Sequence, residues 1–199
     1  MKIAELIRNR IEQMQPGEPF TPAVFLELGA RAVIDQTLSR LVKAGEILRV
    51  TRGVFMRPKK SRYVGNVMPE PFKLAETFAK GETIQVHGAE AARQLELTTQ
   101  MPTQPVFYTS GRSKRLRIGK MEIRLQHACS RKLALAGRMA GLALSALWYL
   151  GKHEVTESVI AKIHKKLPPA EFEALRSAVP LMPAWMAETL LRYESAHRA

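Results

Sequence analysis

The sequence predicts an α+β chain in two parts, on three observations: a helical triplet that runs into a β-hairpin near the N-terminus, a proline- and lysine-rich interruption, and a second half whose short strands give way to helices. In the first part, Ala4, Leu6, Ile7 and Ile11 repeat at helical spacing. Phe20-Thr21-Pro22 opens a second helix, with Thr21 as N-cap and Pro22 in the first turn. In a third helix, Ile34, Leu38, Leu41 and Val42 form one apolar stripe, which leaves Arg31, Gln36, Ser39, Arg40 and Lys43 on other faces. Gly45 supplies the left-handed residue that stops it. Ile47, Leu48, Val50, Val54 and Phe55 then give two short strands reversing near Thr51-Arg52-Gly53, with Arg49, Arg52 and Arg57 along the hairpin. The order helix, helix, helix, hairpin predicts a winged helix-turn-helix over residues 1–62, a module suited to double-stranded DNA.

Pro58, Lys59, Lys60, Gly65, Pro69 and Pro71 interrupt any period and set a boundary before a second domain over residues 72–199. That domain is expected to be mixed α/β, with a small sheet and a helical C-terminal half. It opens with a helix from Phe72 to Phe78, a strand from Thr83 to Val86 and a helix from Gly88 to Leu95. Strands follow over Gln104 to Thr109 and over Arg115 to Leu125, the latter folding back at Gly119-Lys120. Ser130 is expected to cap one long helix that Gly151 ends, and three shorter helices cover Thr156 to Leu167, Pro169 to Ala178 and Pro183 to Tyr193.

Charge narrows the class. The chain has 31 basic and 18 acidic residues, a formal net charge of +13. From Arg49 to Arg62 there are basic residues and no acid, the electrostatic footprint of phosphate binding beside a helical reader. A second tract, Arg112, Lys114, Arg115, Arg117, Lys120, Arg124, Arg131, Lys132 and Arg138, contains Glu122 as its one acid. Within it Arg115, Arg117 and Arg124 alternate with Leu116, Ile118, Ile123 and Leu125, so a sheet with one cationic and one apolar face is expected. Such a face is either a solvated exterior or a contact for nucleic acid or an acidic protein surface.

Catalytic chemistry is not expected, nor any cofactor or metal. Asp35 is the sole aspartate, which excludes the Asp clusters that hold magnesium in nucleotidyl transfer and nuclease sites. No Walker-type loop occurs, and His87, His127, His153, His164 and His197 fall in different predicted elements. His127-Ala-Cys129 could suggest a thiol and a base, but no acid is placed to orient the histidine, so a buried cysteine beside a hydrogen-bonded histidine is expected. A single cysteine excludes an intramolecular disulfide and fits a reducing cytoplasm. Met1-Lys2-Ile3-Ala4-Glu5 does not resemble a secretory leader, and the apolar run from Met139 to Leu150 is too short to span a bilayer, so a cytoplasmic protein without a membrane partner is expected.

At this point several segments together carry a resemblance: Arg31 to Leu41, Ile47 to Phe55, His87 to Leu95, Pro102 to Arg112 and Ala140 to Lys152. In this combination, from about Met1 to Trp185, the chain resembles the AbiEi family of antitoxins. The resemblance implies a type IV toxin-antitoxin system of the abortive-infection, phage-defence kind. In such a system the N-terminal winged helix represses its own operon by binding inverted repeats in the promoter. The C-terminal antitoxin domain counters a nucleotidyltransferase-like toxin, without need of a stable complex, and the protein is a monomer or weak dimer in solution. The DNA-binding role carries onto Arg31, Gln36, Ser39, Arg40 and Lys43 in the helix and Arg49, Arg52 and Arg57 in the wing. Arg31 and Gln36 are placed to reach base edges, the other cations to grip phosphates. Asp35 could accept from cytosine or pair with Arg31 or Ser39. Two other classes stay open: a stand-alone regulator whose C-terminal domain senses a ligand or dimerises, and an RNA-binding or enzyme-modifying protein dominated by Arg112, Lys114, Arg115, Arg117 and Arg124.

Overall fold

The computed structural model describes residues 2–62 and 65–196 and shows a mixed α+β chain of helices and small sheets. Two compact units make it up: Met1–Gly81 with Leu116–Met121, and Glu82–Arg115 with Glu122–Ala199.

In the first unit, helix α1 (Ile3–Gln13) buries Ile7 and Ile11 and leaves its charged faces to solvent. The segment after Thr21 is a 3-10 helix, Pro22–Leu28, and Thr21 makes no side-chain capping bond. Thr21 thus holds the expected N-cap position without that bond, and Pro22 starts the turn through its fixed φ. Helix α2 (Arg31–Lys43) buries Ile34, Thr37, Leu38 and Leu41. Its end is a Schellman motif: Glu46 N–H donates to Leu41 O, Gly45 N–H donates to Val42 O, and Gly45 takes φ 73. Strands β1 (Pro19–Phe20), β2 (Leu48–Thr51) and β3 (Val54–Met56) form an antiparallel sheet in the order β1-β3-β2, with Thr51 opposite Val54 across a two-residue reversal at Arg52-Gly53. Phe20, Phe25 and Phe55 lie at the centre of this core, where the Phe20 ring meets Phe25 edge-on at 5.8 Å and stacks on Phe55 at 6.1 Å.

A two-stranded ribbon, β4 (Lys60–Ser61) with β5 (Gly65–Asn66), occupies part of the stretch read as a linker. Helix α3 (Pro71–Ala79) belongs to the first unit, so the division falls after Gly81 rather than before Phe72. The reason is packing: α3 buries Leu74, Ala75 and Ala79 and lies against β1, while the Thr77 hydroxyl donates to Lys73 O within its own helix at 2.7 Å. Prolines broke the hydrophobic period without ending the unit.

The second unit has a four-stranded sheet in the order β6-β7-β9-β8, built from β6 (Ile84–Val86), β7 (Val106–Thr109), β8 (Lys114–Ile118) and β9 (Met121–His127). The tip of the β8–β9 hairpin, at Gly119-Lys120 as expected, is the segment that groups with the first unit. Strand β7 pairs with β9 in parallel, Val106 opposite Arg124 and Tyr108 opposite Gln126. Helix α4 (Gly88–Gln94) crosses α6 (Met139–Glu154) at very short range. A Cβ on Gly88 would lie 2.5 Å from Ser145 O and 2.4 Å from Tyr149 Cβ. Ala91, Ala92, Ala140, Ala143, Leu144 and Leu147 fill the crossing. Helices α7 (Glu157–Lys166), α8 (Pro169–Ser177) and α9 (Ala184–Ala196) complete this core with Ile160, Ile163, Leu175, Met186 and Leu190.

The expected long helix from Ser130 is broken. A short α5 (Ser130–Leu133), with Cys129 rather than Ser130 as N-cap, is separated from α6 by a loop through Leu135 and Gly137. Gly141 makes this possible, because any Cβ there would sit 2.1 Å from Leu135 O. The buried Gln85 carboxamide oxygen accepts from Gly137 N–H at 3.5 Å and holds the loop down. Helix α6 kinks at Gly151, where the sequence reading ends it, and resumes to Glu154. Among the described residues, no helix is long and apolar enough to cross a membrane. His197 lies outside the described residues.

Candidate nucleic-acid interface

The α2 helix and the β2–β3 hairpin face each other across a cleft of about 460 Å³. Arg31, Asp35 and Ser39, one turn apart, line its helix side; Arg49, Arg52 and Gly53 line its hairpin side; Pro22, Val42 and Phe55 close the remainder. Gly53 sits at φ 77 in the reversal and lets a two-residue turn carry Arg52 to its tip. Four of the eight residues read from the sequence as DNA contacts are brought together there, Arg31, Ser39, Arg49 and Arg52, while Gln36, Arg40 and Lys43 are exposed on α2 outside the cleft lining.

Arg57 is the exception. It is half-buried, and its Nη1 donates to Glu12 O at 2.7 Å and Met14 O at 2.6 Å. The guanidinium thus satisfies carbonyls at the C-terminal end of α1, where a cation also complements the helix dipole. It lines a different depression, with Arg8, Glu12 and Glu46, and braces the end of α1. Spacing along the hairpin could not separate Arg57 from Arg52, because the partner carbonyls lie more than forty residues away in sequence.

Asp35 takes the first of the roles open to it inside the helix. Arg31 Nε donates to both Asp35 carboxylate oxygens at 3.0 Å, an i,i+4 pair with both side chains about half exposed. The contact uses Nε and leaves the two terminal nitrogens as donors for a ligand.

The second basic tract divides. Leu116, Ile118, Ile123 and Leu125 are buried while Arg115, Arg117 and Arg124 are exposed, the expected two-faced pattern of β8 and β9. Arg112 is exposed in the β7–β8 loop. Lys114 pairs with Glu82, and Arg124 Nε donates to Glu122 at 3.2 Å. Further on, Arg131 donates to Leu181 O and Met182 O at 2.8 and 2.9 Å, and Arg138 pairs with Glu171 at 3.0 Å, so both tie helices together. Glu171 also accepts from Ala140 N–H at 2.9 Å, which caps α6 from another helix and, with Arg138, holds the Glu171 carboxyl below its usual range.

His127 and Cys129 are both exposed. The His127 ring Nδ1 lies 2.8 Å from Gly111 O, and Cys129 is exposed rather than buried as expected, because it stands at the start of α5. Among the described residues, no group of three or more His, Cys, Asp or Glu is placed to hold a metal ion.

Helices and small sheets with a cationic cleft on the first unit define an α+β protein of mixed architecture. Residues 6–175 match a family of unknown function, DUF6088, and the chain belongs to that family. No curated protein matches the chain.

Proposed function

We propose that the protein is a DNA-binding antitoxin that represses its own operon, with the first unit acting as a winged helix-turn-helix and α2 as its recognition helix. The observation that carries the DNA-binding part is the cleft in which Arg31, Arg49 and Arg52 converge from a helix and a two-residue hairpin turn. Arg31 opens α2, so its free terminal nitrogens can donate to guanine O6 and N7 in the major groove. Arg49 and Arg52 reach phosphates and set the register, and exposed Arg40 and Lys43 extend that contact along the helix. Gln36 offers an amide to adenine. The antitoxin part rests on the resemblance of the chain to AbiEi antitoxins, with a nucleotidyltransferase-like toxin as the functional partner.

The test compares binding to the protein's own promoter duplex with binding to a scrambled duplex of equal length at about 150 mM salt, where nonspecific attraction is weakened. A clear preference for the promoter is the expected result, and equal affinity for the two would overturn the assignment of α2. Co-expression with a nucleotidyltransferase-like toxin tests the antitoxin part: growth is restored if that part is right and stays arrested if the protein is a regulator alone.

A further inference from the structure

The outer face of the C-terminal sheet holds a second concave site, separate from the cleft of the first unit. It has a volume of about 390 Å³, within the range of small-molecule sites, and among the described residues no carboxylate lines it. Arg115 brings one cation to it, and Lys114 and Arg124, each also paired with a glutamate (Glu82 and Glu122), bring two more. Because β7 and β9 pair in parallel register, Arg124 and Gln126 share one face with Val106, which supplies an apolar wall.

The cationic rim is braced. Thr109 Oγ1 donates to Glu82 at 2.7 Å and accepts from Gly111 N–H at 3.1 Å. Ser110 Oγ accepts from Thr83 N–H and Ser113 Oγ from His127 N–H, each at 2.9 Å. Glu82 also holds Lys114. A Cβ on Gly111 would lie 2.1 Å from the Glu82 carboxyl carbon, so glycine is what lets the loop close over this carboxylate. A loop fixed in this way loses little freedom when a ligand binds.

His87 completes the lining. Its Nδ1 accepts from Ala89 N–H at 3.3 Å, which places the proton of the neutral ring on Nε2 as a donor, and its ring lies 4.7 Å from that of Tyr108. Burial first, then the charge of Lys132, lowers the pKa of His87 and keeps the ring neutral.

We propose that this site binds a free nucleoside phosphate, with Lys114, Arg115 and Arg124 on the phosphates and Gln126 and His87 beside the base. Three convergent cations match a phosphate chain, while a carboxamide, a neutral imidazole and an apolar wall match a planar heterocycle with donors and acceptors on its edge.

Calorimetric titration of the full chain with ATP and GTP tests this, alongside pyrophosphate and a short 5′-phosphorylated RNA. The expected result is saturable binding of a nucleoside triphosphate, weakened about tenfold or more by Arg115→Ala and separately by Arg124→Gln, and unchanged by Arg52→Ala. Arg115 and Arg124 are exposed, so neither change opens the core, and circular dichroism verifies the fold. The proposal is overturned if neither nucleotide binds at millimolar concentration, if pyrophosphate binds as tightly as the triphosphates, if only the RNA binds, or if both variants bind like the parent protein.

Discussion

In the first unit Arg49 and Arg52 stand on a short hairpin and make no ion pair among the described residues, whereas in the second unit Lys114, Arg124 and Arg138 are each held by a glutamate. The two regions are similarly basic in sequence and differ in what the charge is free to do. Around the cleft the charge is available to a polyanion, and over the sheet much of it is spent on fixing a loop, a strand and a helix terminus. A count of arginines cannot separate these uses; the position of the nearest acid or carbonyl does.

The sharpest way to break this comparison is Arg31→Ala. It is expected to cost about 1–3 kcal/mol of promoter affinity and to flatten discrimination against substituted sites, measured by competition binding. Unchanged affinity and selectivity would show that the cleft is not the reading surface. Arg57→Ala is expected to lower stability by about 1–3 kcal/mol through its two lost carbonyl contacts, read from chemical denaturation, with the salt dependence of DNA binding retained. A smaller effect follows from Arg52→Ala: affinity for specific and random duplexes falls together, and the slope of log K against log salt loses about one unit. An unaltered slope would remove the hairpin tip from the interface.

The smallest effect belongs to the second unit. Hydrogen bonds from Lys114 and then Thr109 hold the Glu82 carboxyl below its ordinary value of 4.5. A carboxylate depressed in the folded state stabilises it above the unfolded value, and that contribution is lost as pH falls from about 4.5 through the folded value. Glu82→Gln should therefore flatten the acid limb of thermal stability, measured from pH 6 to 3, and a limb of unchanged slope would show that Glu82 does not anchor the loop.

The local rules read well where a signal lies within a few residues. The apolar stripe of α2, the glycine stop at Gly45, the Gly119-Lys120 reversal and the alternation along β8 and β9 were all legible. Long-range contacts were not. The role of Arg57 depends on carbonyls of α1, the break before α6 depends on Gly141 meeting Leu135, and the place of α3 depends on β1. The concavity on the C-terminal sheet draws His87, Ser113 and Gln126 from separate elements, and no spacing in the chain joins them.

The pair between Arg31 and Asp35 has a kinetic consequence under the proposed function. Asp35 places a negative charge on a helix that meets a polyanion. Where a duplex presents a guanine to Arg31, that contact outweighs the repulsion; elsewhere the carboxylate hastens release. The chain's only aspartate would thus shorten each stop on random sequence, and a protein of charge +13 would spend less of its search stuck to the wrong DNA.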